Sequence, residues 1–357
     1  MKAVILTAGQ GTRLRPVTLT MPKSLVPVAN RWLIAYAIDV LKLAGLNDIG
    51  IVVNSLSSPI VARLRDGQSL GVNIEYIVQE KQKGLAHAIG LCKSFVGDDP
   101  FTVFLGDNIF QDKMTELLTS FADSGAEAKI ALSEVPDPTR FGIAEIERGR
   151  IVRVVEKPQD PPSNLAITGV YLFRKSVFDA ISRIQPSGRN ELEITDAIQV
   201  LISDGHPVAS YELAGWWIDA GKPDAIIMAN QLVLEELPYT PAPENGGQVE
   251  GKSEVSHRVL IGKNSRVIDS VIRGPVIIGN DTVICNSYVG PYTALGDNVV
   301  VEGSEIEASI VMKNCEIRNI QGRIDRSLLA DNARVTSAPH MPAAHRFVLA
   351  ENSYVQF

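Results

Sequence analysis

Leu6-Thr-Ala-Gly-Gln-Gly-Thr-Arg-Leu-Arg-Pro16, followed by Pro22-Lys23, decides how the chain is read. The apolar run Lys2 to Leu6 predicts a short buried strand, because such a run closed by glycine punctuation marks one. Gly9 and Gly11 let the backbone turn sharply and approach a ligand closely. Thr12, Arg13, Arg15 and Lys23 put a hydroxyl and three positive charges near that turn. Backbone N–H groups together with arginines suit a polyphosphate, since charge-assisted hydrogen bonds are strong and those of arginine can be bidentate. No Gly-Lys-Ser/Thr follows, so this is not a Walker loop. The third glycine of the dinucleotide fingerprint is missing as well.

Outward from the loop, Ile49–Val53, Ile74–Val78 and Thr102–Leu105 read as strands. Leu33, Ile34, Ala37, Val40, Leu41 and Ala44 recur at helical spacing before a stop at Gly45, and a second helix is expected over Gly84 to Ser94. Alternating strand and helix predict an α/β domain with a mostly parallel, Rossmann-like sheet. Ligands of such sheets sit beyond the carboxyl ends of the strands, which puts the Gly9–Arg15 loop at the mouth of the site. Further on, Ile143–Glu147 and Ile151–Glu156 flank a hairpin turn at Arg148-Gly149, and Ile167–Phe173 is another strand. Ser176 and Thr195 are expected to cap the helices Val177–Ile184 and Asp196–Ser203, and Pro223 to open a helix to Leu237.

The nucleotide-type domain is therefore assigned to residues 1–237. Residues 238–251, rich in proline and glycine, are assigned as a linker. Beyond them Val271, Ile277, Val283, Val289, Leu295 and Val301 repeat every six residues, with apolar-Gly steps at Ile261-Gly262, Ile278-Gly279, Val289-Gly290 and Leu295-Gly296. A six-residue period with glycines predicts a hexapeptide-type parallel β-helix over 252–338, followed by a C-terminal tail at 339–357.

A formal net charge of −7 argues against a nucleic-acid-coating protein. Three scattered cysteines without a Cys-x-x-Cys pair point to a reducing compartment and away from a zinc ribbon. The N-terminus shows no signal-peptide pattern and no apolar run is long enough to span a bilayer, so the expectation is a cytoplasmic protein with no membrane partner.

Asp107 closes the strand Phe101–Leu105, where a carboxylate faces the cleft and suits magnesium carried in with phosphates. Asp219, in Trp216-Trp217-Ile218-Asp219-Ala220-Gly221, is the natural second ligand; each alone also fits a cap or turn aspartate. Lys157 in Glu156-Lys157-Pro158 can neutralise a sugar phosphate, and Glu156 can accept from sugar hydroxyls, although exposed ion pairs of this kind are common. Gly142 leaves room for sugar near the backbone. Gln79 carries a donor and an acceptor, complementary to a pyrimidine edge.

These segments, with Gly-Leu-Ala at 84–86, Glu-Leu-Glu-Ile-Thr-Asp at 191–196 and Gly-Val-Tyr-Leu-Phe at 169–173, resemble the sugar-phosphate nucleotidyltransferases. Within them the chain is most similar to the glucose-1-phosphate thymidylyltransferases of the long form, which carry a C-terminal left-handed β-helix. The likeness extends to Ala344-His345-Arg346. It implies a magnesium-dependent sequential reaction in which a sugar 1-phosphate (glucose 1-phosphate favoured) attacks the α-phosphorus of a nucleoside triphosphate (dTTP favoured), releasing pyrophosphate and an NDP-sugar such as dTDP-glucose. It implies Arg13, Lys23 and Lys157 as catalytic residues. Leu6, Ala8, Gly9, Gly11, Thr12, Arg13, Gln79 and Gly84 would line the nucleotide, and Gly142, Glu156, Lys157, Gly169, Thr195 and Trp217 the sugar phosphate. Asp107 and Asp219 would hold the metal, and the β-helix would assist a homo-oligomer. Such chemistry needs positioning and electrostatic stabilisation rather than a nucleophilic triad.

The chain departs from the family pattern at Ala8, at Ala220 and at Asn190, where the family commonly has Gly, Thr and Gly. These changes open the choice of base to UTP or GTP, and of acceptor to N-acetylglucosamine 1-phosphate or a cyclitol phosphate. Two readings of other classes compete. Acyl transfer on the β-helix usually needs a histidine base, and the periodic coils contain none of His87, His206, His257, His340 and His345. A non-catalytic sugar-nucleotide sensor predicts loss of Arg13, Lys23, Asp107 or Asp219, and all four are present.

Overall fold

The computed structural model describes residues 1–122, 124–239, 246–337 and 352–356. Met1–Gln10, Met21–Leu25 and Leu33–Asp219 form one compact unit; Gly11–Thr20, Val26–Trp32 and the chain from Ala220 onward form another.

Apolar runs become strands as expected. β1 (Lys2–Leu6) is buried along four of its five residues. A short hairpin of β2 (Pro27–Val28) and β3 (Arg31–Trp32) belongs to the second unit. In the first unit, α1 (Leu33–Leu43) turns Leu33, Ile34, Ala37, Ile38 and Leu41 inward, and Gly45 ends the turn at φ 76°. Then come β4 (Asp48–Val53), α2 (Pro59–Leu64) and β5 (Asn73–Val78). The helix expected over 84–94 is divided into α3 (Leu85–Leu91) and α4 (Lys93–Val96). At the join, the Cys92 N–H reaches back only three residues to the Ile89 carbonyl, which tightens the turn and ends the α-helical ladder.

β6 (Phe101–Leu105), β7 (Asn108–Phe110), α5 (Thr115–Ser120) and β8 (Ala128–Glu134) follow. β9 (Gly142–Glu147) and β10 (Arg150–Glu156) pair across Arg148-Gly149, whose φ values of 48° and 76° are those that a tight hairpin turn demands. After β11 (Leu165–Phe173), α6 (Ser176–Arg183) and α7 (Ile194–Ser203) come β12 (Val208–Glu212) and β13 (Trp217–Asp219). Both expected caps move. Lys175 stands at the N-cap of α6, and the Ser176 hydroxyl donates instead to Glu127 Oε2 at 2.6 Å. Glu193 stands at the N-cap of α7, while Thr195 lies inside the first turn with its hydroxyl on Glu156.

The sheet runs β5-β4-β1-β6-β11-β8-β12-β10-β9. β5, β4, β1 and β6 are parallel, as helical crossovers require; β11 enters antiparallel to β6, and β12 lies parallel to β8. Leu6 is in register with Leu105, so the loops after β1 and β6 leave the same edge of the sheet. Under it, Phe101 stacks on Phe178 with centroids 5.5 Å apart.

In the second unit, α8 (Pro223–Glu235) starts with its proline in the first turn. Asn230 is fully buried on α8 and satisfies two backbone groups at once: it accepts the Ala29 N–H and donates to the Tyr292 carbonyl, each at 2.8 Å. The coils that follow form three parallel sheets of six, five and five strands, consistent with a left-handed β-helix. Their first strand, Gln248–Glu250, pairs with Arg266–Ile268 and so lies inside the stretch read as a linker. Residues 240–245 of that stretch, and all of the 339–357 tail except 352–356, lie outside the described residues.

Glu254 pairs with Val271 and Val271 with Tyr288, a coil of 17 residues rather than three equal sixes. The buried series is Ile261, Val267, Ile272, Ile278, Ile284, Val289, Leu295, Val301 and Ile306. Every third step is thus five, and the strict six expected from the sequence slips: Val271, Ile277 and Val283 are only half-buried beside inward Ile272, Ile278 and Ile284. At one corner Gly262, Gly279 and Gly296 stack so closely that a Cβ on Gly279 would lie 2.5 Å from the Gly296 carbonyl carbon. At another, the hydroxyls of Ser253, Ser270 and Ser287 each accept the N–H of the serine one coil on, at 3.1–3.3 Å. Gly279→Ala should therefore destabilise the β-helix by about 1–3 kcal/mol, as overpacking against backbone does. Thermal unfolding followed by circular dichroism checks this, and an unchanged midpoint would refute the close stacking.

Candidate active site

The carboxyl edge of β1 and β6 builds the first cluster. Gly106 N–H bonds the Leu6 carbonyl at 3.0 Å, and a Cβ on Gly106 would lie 2.7 Å from Thr7 Cγ2, so only glycine lets the two loops cross. Asp107 emerges directly after this crossing. β13 pairs antiparallel with β7 and sets Asp219 opposite Asn108, next to Asp107. Lys23 joins the two: its ammonium bonds Asp107 Oδ2 and lies 3.5 Å from Asp219 Oδ1. The other Asp107 oxygen accepts from Asn108 Nδ2 at 2.8 Å, and Asn108 Oδ1 accepts the indole N–H of Trp217 at 2.6 Å. Trp217 packs in turn on Phe141, with centroids 5.4 Å apart. Sequence reading singled out Lys23, Asp107, Trp217 and Asp219 and gave Asn108 no role; its place directly after Asp107 was the available signal.

Among the described residues no group of three or more His, Cys, Asp or Glu side chains converges as a metal cage. Two carboxylates drawn to one cation nevertheless fit magnesium, which keeps several waters and takes ligand phosphates alongside one or two carboxylates.

A second cluster surrounds Glu156 at the end of β10. Thr195 donates its hydroxyl to Glu156 Oε2 at 3.2 Å, and Lys157, at φ 42°, holds its ammonium 3.4 Å from Oε1. A Cβ on Gly142 would lie 2.8 Å from Thr195 Cγ2 and 3.2 Å from Glu156 Oε2, so the glycine keeps this corner open. Arg189, which the sequence reading missed, donates to Glu156 and Glu193 at 2.8 Å each. Burial, then the neighbouring Glu193 and Glu156, raise the pKa of Asp196 on the same side of α7. At Gly169 φ is 86° and a Cβ would lie 2.6 Å from Leu105, so backbone shape and packing both require glycine there.

A third cluster lies at the end of β5, where the buried Gln79 amide nitrogen meets the Gly84 carbonyl at 3.3 Å and His87 Nδ1 at 2.9 Å. Gly84, at φ 103°, passes so near Leu192 that a Cβ would lie 2.5 Å from its carbonyl oxygen.

Leu6 and Ala8 are buried, Ala8 within the apolar core of the first unit. The Ala8 methyl is therefore part of that packing. Gly9 is exposed and open, with no atom within 4 Å of where its Cβ would stand. Gly11, Thr12 and Arg13 fall in the second unit. There Gly11, at φ 61°, starts a 3-10 turn over Thr12–Leu14, and its carbonyl accepts the Thr18 hydroxyl at 2.7 Å. Thr12 and Arg13 are exposed on that turn. Burial pushes the thiol of Cys92 up to about 12 and that of Cys315 to about 11, so neither is a poised nucleophile.

Comparison with known proteins gives the family of the chain. Residues 2–236 match the Nucleotidyl transferase family model. A glucose-1-phosphate thymidylyltransferase of Streptomyces griseus is 42% identical over 357 residues, covering 100% of this chain and 99% of the relative. A low-salt glycan biosynthesis nucleotidyltransferase of Haloferax volcanii is 45% identical over 361 residues, covering both chains completely (100% each). A solved Bacillus anthracis structure described as a glucose-1-phosphate thymidylyltransferase superposes with a TM-score of 0.62 at 39% identity, covering 67% of this chain and 97% of its own. By its motifs, its sheet and these full-length likenesses, the chain belongs to the nucleotidyl transferase family.

Proposed function

We propose that the protein transfers a thymidylyl group from dTTP to glucose 1-phosphate, giving dTDP-glucose and pyrophosphate. The observation that carries the reading is the convergence of Asp107 and Asp219 on the Lys23 ammonium at the carboxyl edge of the sheet. A magnesium ion bound by the two aspartates would neutralise triphosphate charge. Arg13 and Lys23 bind the triphosphate and offset charge that builds on it. Lys157 holds the sugar phosphate, one of whose oxygens attacks the α-phosphorus while the bond to pyrophosphate breaks. Glu156, fixed by Thr195 and Arg189, accepts from sugar hydroxyls beside Gly142 and Trp217. Gln79 and Gly84 meet the base, and Leu6, Ala8, Gly9, Gly11 and Thr12 shape the path of the nucleotide. Hard oxygen donors and positioned cations are what phosphoryl-type transfer requires.

Three unpaired cysteines support a reducing, cytoplasmic setting. Among the described residues no helix is long and apolar enough to cross a membrane. The β-helix offers repeated coil faces for a homo-oligomer, which light scattering on the eluting species would count.

Pyrophosphate release, measured with dTTP, UTP, GTP, CTP and ATP against glucose 1-phosphate, N-acetylglucosamine 1-phosphate and a cyclitol phosphate, tests the assignment. Release should be strongest with dTTP and glucose 1-phosphate and stop when a chelator removes magnesium. Release only with another pair would move the specificity, and none at all would favour a sensor.

Asp107→Asn should keep the fold and lower kcat by at least ~10²-fold, the scale of losing one electrostatic contributor to the transition state. Near-normal turnover in that folded variant would remove Asp107 from the metal role. Lys157→Ala should raise KM for glucose 1-phosphate ~10-fold, since a charge-assisted contact contributes about 1.5–3 kcal/mol. A variant with unchanged KM for the sugar phosphate would place Lys157 outside the site.

A further inference from the structure

Gln79 is only 4% exposed, and its amide orientation can be deduced rather than chosen. A backbone carbonyl only accepts hydrogen bonds, so the amide atom 3.3 Å from Gly84 O is the nitrogen. That carbonyl is itself held in place, because it accepts the Ala88 N–H of α3. With the nitrogen so placed, His87 Nδ1, 2.9 Å away, must be the acceptor, and the ring proton sits on Nε2. Burial first, and then the Lys83 ammonium, lower the His87 pKa, which keeps the ring neutral near pH 7. Both amide hydrogens of Gln79 are thus committed within the fold. Its Oε1 makes no hydrogen bond with the described residues.

We propose that His87 is a positioning residue which, with the Gly84 carbonyl, locks the Gln79 amide so that it offers the nucleobase an acceptor and no donor. The inference rests on the reading of Gln79 as the base contact. Thymine and uracil present a ring N–H to such an acceptor. Cytosine presents a ring lone pair at the same place and is rejected, since a site built around one hydrogen bond discriminates against a base that cannot make it. Without His87 the amide loses one of its two anchors and can turn over, exchanging acceptor for donor. His87 carries no part of the chemistry. Its effect lies in nucleotide binding and base choice.

The test is steady-state kinetics of the full-length protein with dTTP and dCTP against glucose 1-phosphate. His87→Leu fills most of the ring's space and accepts no hydrogen bond. His87→Asn restores an acceptor near the position of Nδ1. His87→Leu should raise KM for dTTP ~10-fold with kcat changed less than ~2-fold, and narrow the preference for dTTP over dCTP by a similar factor. His87→Asn should recover most of both. Unchanged KM and preference in His87→Leu, or a His87→Asn variant as impaired as His87→Leu, overturns the proposal. If His87→Leu does not fold, His87→Ala carries the same expectation without added bulk. Gln79→Leu keeps the two readings apart: an unaltered dTTP KM there overturns the base contact itself. A raised KM there, with His87→Leu unaltered, overturns only the role of His87.

Discussion

Asp107 and Asp219 are brought to one cation by the pairing of two three-residue strands, and neighbouring carboxylates repel unless a cation stands with them. Lys23 is such a cation. Much of the surrounding structure serves to hold the arrangement. Register between β1 and β6 puts Gly106 across Leu6, and the absence of a side chain at Gly106 lets Asp107 emerge at the sheet edge. Asn108 fixes one Asp107 oxygen, and Trp217 fixes Asn108. The contacts run from Trp217 through Asn108 to Asp107 and on to Lys23, so the fold itself holds the carboxylates in place. That is the condition under which fixed charges stabilise a transition state without reorganising.

A comparable logic governs the Glu156 corner. Glu156 and Glu193 share Arg189, whose two hydrogen bonds of 2.8 Å offset their mutual repulsion. Thr195, drawn away from capping its helix, takes the other Glu156 oxygen. The displaced cap is informative: a hydroxyl at a helix start normally serves the backbone, and here it serves the Glu156 oxygen that Arg189 leaves open. Local helix signals read in isolation pointed to the cap because that is the commoner use of threonine at such a position.

The fold was legible wherever a local pattern is sufficient cause. Apolar runs closed by glycine gave the strands of the parallel half, and the turn at Arg148-Gly149 followed from residue chemistry alone. The β-helix was legible as a repeat but not in its phase. A 17-residue coil drops one residue at one corner, and only stacked burial shows which neighbour of each pair faces inward. In the site, Lys23, Asp107 and Asp219 were visible because their settings are specific. Arg189 and His87 were not, because each acts on a residue distant in sequence or through an amide whose orientation sequence does not encode. A basic residue four positions before Glu193, or a histidine eight after Gln79, is unremarkable until the fold brings them into contact.

Of the three departures from the family pattern that open base and sugar choice, two are alanines, and packing bears on how they weigh. Ala8 places its methyl in the apolar core of the first unit, and Ala220 is fully buried in the second. A methyl buried in a core acts first on packing, and through packing on the path of the loop that carries it. Under the proposed function, discrimination between bases falls to groups that can make or refuse a hydrogen bond, where selectivity is largest, because an unpaired buried polar atom costs more than a misfitted methylene. Gln79 is such a group, buried, with both its donors engaged by Gly84 and His87. Selectivity on this view resides less in the glycine-rich loop than in the two contacts that decide which face of one amide the base meets.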